Sequence, residues 1–297
     1  MNVTISGASG LVGRHLLRVL GGDGHKLHVL SRHAGTNLPN GVKLTVWDPK
    51  NLPRAASIEE ADAVIHLSGE PVAQRWTAEA KRRIRDSRVG STERLVEAIS
   101  KLARRPACLV CASAVGYYGS RGDEILEESS PPGNGFLPEV CAAWEKAAEE
   151  AADLGVRVVS IRIGMVLDRR GGALGRLLAP FRAGVGGRLG SGRQWMSWIH
   201  VGDLAELFRF VIDRPLKGAL NGVAPFPVSN AEFTQELARA LKRPALLPVP
   251  EFALKALLGD MAEIVLASQR VVPRAAEGAG FRFRFPQLGP ALGDLLG

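Results

Sequence analysis

The feature that most constrains this 297-residue chain lies at its start. An apolar run, Asn2 to Ser6, leads into Gly7-Ala-Ser-Gly10-Leu-Val-Gly13, and an amphipathic stretch, Leu11 to Leu20, follows at once. In that setting each glycine has its own duty. Gly7 permits a tight turn, Gly10 lets the main chain approach a pyrophosphate, and Gly13 allows the helix to pack closely on the strand. The free N–H groups at the start of the helix then meet the phosphate charge. We therefore expect Gly7, Ser9, Gly10, Leu11, Val12 and Gly13 to hold a dinucleotide. A purely structural glycine turn is the weaker reading with strand and helix both in place.

Up to about residue 167, short apolar runs alternate with longer amphipathic stretches, the pattern of repeated βαβ units. The strands read as Asn2 to Ser6, Lys26 to Ser31, Lys43 to Trp47, Ala63 to Leu67, Cys108 to Ala112 and Arg157 to Ile163. Helices fit Leu11 to Leu20, Ala78 to Ser100 and Phe136 to Asp153, the last with Pro138 confined to its first turn. This predicts an α/β fold, a Rossmann-type doubly wound parallel sheet with a smaller C-terminal α/β lobe. Gly171 to Gly192 is glycine-rich but broken by the apolar Leu174 to Phe181, which suits a loop and helix over a site. A strand over Trp198 to Val201, a helix from Gly202-Asp203 through Ile212 and a strand over Leu220 to Val223 follow. Two helical patterns, Asn230 to Leu241 and Glu251 to Gln269, precede a strand over Phe281 to Phe285 with its phenylalanines inward. We assign 1–170 and 199–228 to the dinucleotide-binding core, and 171–198 and 229–297 to a substrate lobe.

Hydrophobic residues make up 46% of the chain, enough for a large core, and no apolar run reaches membrane-spanning length. No secretory signal is visible at the start, which predicts a cytoplasmic protein. The three cysteines, Cys108, Cys111 and Cys141, are an odd number; Cys108-Leu-Val-Cys111 lies in an apolar strand without a second pair or nearby His, so core packing in a reducing compartment is expected and no metal site. The net charge of +8 raises the question of nucleic acid. Its densest cluster, Lys81 to Arg88, carries the spacing of a solvated helix face and no nucleic-acid-binding signature accompanies it. An anionic cofactor or small anionic substrate suits such a surface better.

An NAD-specific fold presents Asp or Glu near the end of the second strand, where the carboxylate holds the ribose hydroxyls. Here Ser31 and Arg32 occupy that place, and a guanidinium can clamp a 2′-phosphate through charge-assisted bonds. The expected cofactor is NADP(H). Asp48 and Leu67-Ser68-Gly69 close the third and fourth strands, where strand ends line the cofactor crevice.

These features resemble the extended short-chain dehydrogenase/reductase superfamily, and closely resemble its atypical "epimerase family" branch, sometimes labelled cell-division-inhibitor-like. The residues that carry the match are Ser31-Arg32, Ser113-Ala-Val-Gly-Tyr-Tyr-Gly119, Val140-Cys-Ala-Ala-Trp-Glu145, Arg162-Ile-Gly-Met-Val-Leu167, Gly190-Ser-Gly-Arg-Gln-Trp-Met-Ser-Trp-Ile-His200 and Ser268-Gln-Arg-Val-Val-Pro273. The resemblance implies an NADP-binding Rossmann core with a small C-terminal substrate lobe. By position, Ser113 corresponds to the catalytic serine that hydrogen-bonds the reacting carbonyl or hydroxyl, or else caps a turn at a strand end. Gly164, Met165 and Val166 correspond to the contacts with the nicotinamide amide. Arg88 stands where extended members often place an asparagine, and reaches either the cofactor phosphates or the solvent.

The superfamily's partner for the serine is a tyrosine followed four positions later by a lysine, the acid/base and its charge support. Cys141 and Glu145 stand in those places here. A glutamate cannot lower a neighbouring acid's pKa by positive charge. Tyr117 and Tyr118, the chain's only tyrosines, follow Ser113 and are the candidates for a proton role. Arg193, Trp198 and His200 are candidate substrate contacts, with His200 able to shuttle a proton if it faces the cleft. The expected activity is an NADP(H)-dependent oxidoreductase or epimerase-like reaction on a small substrate, by a monomer or homodimer. The alternative, motivated by the missing dyad, is a non-catalytic NADP(H) sensor or partner-binding protein.

Overall fold

The computed structural model describes residues 1–297. Seven strands form one parallel sheet: β1 (Asn2–Ser6), β2 (Lys26–Ser31), β3 (Lys43–Val46), β4 (Ala63–His66), β5 (Cys108–Ala114), β6 (Arg157–Ile163) and β7 (Gly218–Gly222). Their spatial order is β7-β6-β5-β4-β1-β2-β3. The order reverses beside β1, and a doubly wound sheet opens its ligand crevice at the carboxyl ends of the strands flanking such a point. Apolar residues run through the strands on both faces because both faces are covered.

On one face, α1 (Leu11–Gly22) and α6 (Val201–Ile212) pack Leu16, Leu20, Leu204 and Phe208 against Ile5, Val29, Val110 and Ile161. On the other, α3 (Val89–Ser100) and α4 (Phe136–Glu149) pack Leu95, Ile99, Trp144 and Ala148 against Val64, Leu109, Cys111 and Val158. A third core joins α5 (Gly172–Arg182), α7 (Asn230–Leu241) and the closing helix Leu288–Leu296 through Leu178, Phe181, Phe233 and Leu292. Short strand pairs stitch the C-terminal segments to the main body: Met165–Leu167 with Trp198–His200, Trp195–Met196 with Val228–Ser229, and Ile125–Leu126 with Arg270–Val271. No helix is long and apolar enough to cross a membrane.

Three expected elements differ. The stretch Ala78 to Ser100 is two helices, α2 (Ala78–Asp86) and α3, parted at Ser87-Arg88. The hydroxyls of Ser91 and Thr92 bond the carbonyls of Ser87 and Arg88 at 2.7 Å, the local competition by which Ser and Thr bend helices. The stretch Glu251 to Gln269 likewise breaks, at Gly259, whose φ is +59°. Phe281 to Phe285 forms no strand: the N–H groups of Arg284 and Phe285 donate to the Asp203 carboxylate at 3.0 and 2.9 Å. That carboxylate takes the place of a neighbouring strand, and Phe281 and Phe285 then enter two different cores.

Candidate functional site

The glycine loop is built by main-chain crowding. Gly7 has φ +74°, and a Cβ there would lie 2.7 Å from the Leu67 carbonyl carbon; one on Gly13 would lie 2.5 Å from Ala8 Cα. Only glycine meets either demand. Gly10 caps α1 with no side-chain hydrogen bond and no acidic residue in the first turn, so the helix's leading N–H groups are free for an anion. Ser9 and Gly10 are exposed on the loop while Leu11 and Val12 are half-buried beneath it. These residues fit a pyrophosphate.

Beyond β2, Ser31 Oγ pairs with Thr36 Oγ1 at 2.7 Å and accepts from the His33 N–H at 3.3 Å, which folds the chain back and leaves Arg32 exposed. An exposed guanidinium beside the crevice, with no carboxylate to neutralise it, fits a ribose phosphate. The Asp48 carboxylate closes a turn by accepting from Lys50 N–H at 3.0 Å. Leu67 and Ser68 are half-buried at the mouth of β4, with the Leu67 carbonyl against Gly7. Gly69 is exposed above Arg88, whose guanidinium donates to the Glu70 and Ile84 carbonyls at 3.0 and 3.1 Å and lies 5.3 Å from the Trp144 ring. Arg88 is therefore turned inward rather than a free surface residue, and it fixes the Gly69-Glu70 loop from below. Gly164, Met165 and Val166 turn away from β6 half-buried, and a Cβ on Gly164 would lie 2.6 Å from the Ser197 carbonyl oxygen.

The other half of the crevice holds charge. Ser113, Arg162 and Asn221 are register partners on β5, β6 and β7, so they form one row across the sheet. Strand alternation aims that row at the α4 face, since Cys111 and Val158 two and four residues earlier pack there. Glu145 descends from α4 into the row. Its carboxylate receives Arg162 through two bonds, Nε to Oε1 at 2.9 Å and Nη2 to Oε2 at 2.8 Å. Ser113 Oγ donates to the same Oε1 at 2.6 Å. Arg162 Nη1 donates to the Tyr118 hydroxyl at 2.9 Å and to the Glu128 carbonyl at 3.0 Å, and the Tyr118 hydroxyl donates to Asn221 Oδ1 at 2.7 Å. Glu128 Oε1 accepts the N–H groups of Asn221 and Ala275, which ties the row to the C-terminal segment. Arg162 and Ser113 are 4% and 3% exposed, so this network operates out of bulk water.

The candidates near Ser113 now separate. Tyr118 is fully buried, its hydroxyl is committed on both sides, and burial pushes its pKa up to about 12; it is a core residue and not a proton donor to a ligand. Tyr117 is half-buried, with the Arg162 guanidinium carbon 3.5 Å from its ring centroid. Burial, reinforced by the Glu145 charge, pushes the Cys141 thiol up to about 12, so it stays protonated beneath Gly116. Sequence reading gave no site role to Arg162, Glu128 or Asn221. The signal for Arg162 was an arginine at an inward position of the apolar run Arg157–Ile163; nothing marked the other two.

The expected substrate contacts disperse. Trp198 is completely buried, donating from Nε1 to the Phe226 carbonyl at 3.1 Å, and anchors the third core instead of meeting a ligand. His200 caps α6, its Nδ1 accepting the Gly202 N–H at 3.0 Å, and its ring lies 4.2 Å from that of Phe285. It stands with His15 and Asp203 on the α1/α6 face, opposite Ser113, and burial lowers its pKa; it is no proton shuttle for the crevice. Arg193 is exposed on the glycine-rich loop.

A sheet of this order, with an uncapped glycine loop at its reversal point, is a Rossmann-like NAD(P)-binding fold. The chain belongs to the NAD dependent epimerase/dehydratase family, whose model matches residues 3–223, and residues 249–295 match a domain of unknown function designated DUF1731. It is 41% identical to the "Epimerase family protein SDR39U1 homolog, chloroplastic" of Arabidopsis thaliana, over 98% of this chain and 86% of that protein. It is 35% identical to the epimerase family protein YfhF of Bacillus subtilis, over 100% of this chain and 98% of that one. Among solved structures it is similar to human epimerase family protein SDR39U1, crystallised with NADPH, at TM-score 0.90 and 36% identity over 100% and 99% of the two chains. The resemblance read from the sequence is borne out by these matches.

Proposed function

We propose that this protein is an NADP(H)-dependent oxidoreductase or epimerase-like enzyme that acts on a small substrate at the Ser113 end of the crevice. The observation that carries the reading is the Ser113 hydroxyl, held 2.6 Å from a paired carboxylate at the end of β5, the position of the superfamily's reactive serine. The human relative crystallised with NADPH supports the choice of cofactor, as does the unpaired Arg32 beyond β2. When bound, the nicotinamide supplies the hydride chemistry. The chain's own residues do the rest. The α1 amides hold the diphosphate, the Gly164 to Val166 main chain orients the nicotinamide amide, and Ser113 holds the substrate oxygen. Tyr117 walls the site, and Arg193 on its exposed loop offers charge to an anionic substrate.

Ser113→Ala is the direct test. Turnover of carbonyl, alcohol or sugar-nucleotide substrates, followed by NADPH absorbance, should fall to background while calorimetric NADP(H) affinity holds; unchanged turnover removes Ser113 from the reaction. A second reading, a non-catalytic NADP(H) sensor, draws on the protonated Cys141 and anionic Glu145 at the dyad positions. Turnover of any one substrate in the panel defeats it.

A further inference from the structure

The direction of one hydrogen bond decides what Ser113 can do. Glu145 accepts from Arg162 through both oxygens, so the carboxylate can only accept from Ser113 as well. The single Ser113 proton is therefore committed to Glu145 Oε1 at 2.6 Å. A serine whose proton is so committed has only lone pairs left to offer, and these suit a donor, the hydroxyl of an alcohol, better than a carbonyl. With Ser113 3% exposed, no bulk water competes for the exchange.

We propose that Ser113 and Glu145 form a two-proton relay that stands in for the superfamily's tyrosine and lysine when an alcohol is oxidised. The proposal rests on the oxidoreductase reading above. In the oxidising direction the carbinol C–H bond breaks and its electron pair leaves as hydride to the oxidised nicotinamide dinucleotide. The substrate O–H bond breaks and its proton passes to Ser113 Oγ. The Ser113 proton passes to Glu145 Oε1, and the substrate C=O bond completes. One carboxylate becomes a carboxylic acid, two electrons leave the alcohol, and Ser113 ends as it began. Arg162 is a positioning residue: its paired contacts aim the Glu145 carboxylate at Ser113, and the Glu145 side chain, 15% exposed, keeps an edge towards solvent by which the proton leaves.

The relay is tested on the full chain with NADP⁺ and a panel of cyclic secondary alcohols and nucleotide sugars. Wild type is expected to turn over at least one member, and Glu145→Gln to lose about 10²- to 10⁴-fold in kcat, the usual share of general acid–base catalysis, with calorimetric NADP(H) affinity unchanged. In mixed light and heavy water, wild-type kcat should curve downward with deuterium content, because two protons move together. A straight line points to a single-proton base such as Tyr117 and overturns the relay. Without any dinucleotide, infrared spectra of protein carrying 13C-carboxyl glutamate should show one carboxylate band that Ser113→Ala shifts and Glu145→Gln removes. The Ser113→Ala band shift and the wild-type inventory keep the test decisive even if Glu145→Gln fails to fold. If Glu145→Gln keeps kcat within about threefold, the relay fails and the proposed function stands. If wild type turns over nothing, the oxidoreductase reading falls and the relay with it.

Discussion

The two halves of the crevice are made of different materials. Around β1, β2 and β4 the binding surface is main chain: Gly7 and Gly13 are forced by contacts to Leu67 and Ala8, and Arg32 beyond β2 stands exposed in solvent. Around β5, β6 and β7 the surface is side-chain charge, with Ser113, Glu145, Arg162, Tyr118 and Asn221 bonded into one buried row. A main-chain cradle depends on a few consecutive residues and tolerates change in its surroundings. A buried ionic row is satisfied only when every member is present, so losing one partner leaves another charge desolvated and alone.

The sharpest way to break this comparison is Arg162→Met, which strands Glu145. It should cost about 3–5 kcal/mol in urea denaturation. Arg32→Ala, on the free side, should leave the unfolding midpoint where it is; equal losses for the two would erase the distinction. The pair Glu145→Leu with Arg162→Met should regain most of the stability, since an apolar replacement leaves no orphan charge, while turnover stays absent.

A pH titration comes next. His66 is fully buried at the end of β4 between Ser6 Oγ at 2.6 Å and Ser91 Oγ at 3.0 Å, and burial holds its pKa down to about 4 from 6.5. Between those values the unfolded chain binds the proton and the native one does not. Its contribution is therefore complete above pH 6.5 and is lost as the pH falls towards 4, roughly 3 kcal/mol in all. Midpoints measured across that window should slope less in His66→Gln; parallel slopes would show that burial of the imidazole carries no such penalty.

A smaller effect belongs to cofactor choice. Arg32→Ala should weaken NADP(H) by about 1.5–3 kcal/mol, the scale of bonds to a charged group, and leave NAD(H) nearly unchanged in calorimetry. Loss of both alike would refute a phosphate clamp. Smallest is Tyr118→Phe, which removes one buried hydroxyl between Arg162 and Asn221. About 1 kcal/mol of stability should go, with NADP(H) affinity intact; altered affinity would mean that the two halves are mechanically linked.

The sequence by itself determined the Rossmann-type sheet, the glycine loop and the exposed Arg32, because each rests on residues near one another in the chain: alternation, a turn between a strand and a helix, a strand end. Only the tertiary structure decided that Arg88 turns inward under Gly69, that Asp203 takes the N–H groups of Arg284 and Phe285, and that Tyr118, Trp198 and His200 serve packing and capping. It alone brought Glu128, Glu145, Arg162 and Asn221 from four separate segments to one row. A glutamate in a lysine's place reads as a defect until the arginine that faces it is known, because the meaning of a charge is set by what it is buried against, and that is a property of the fold.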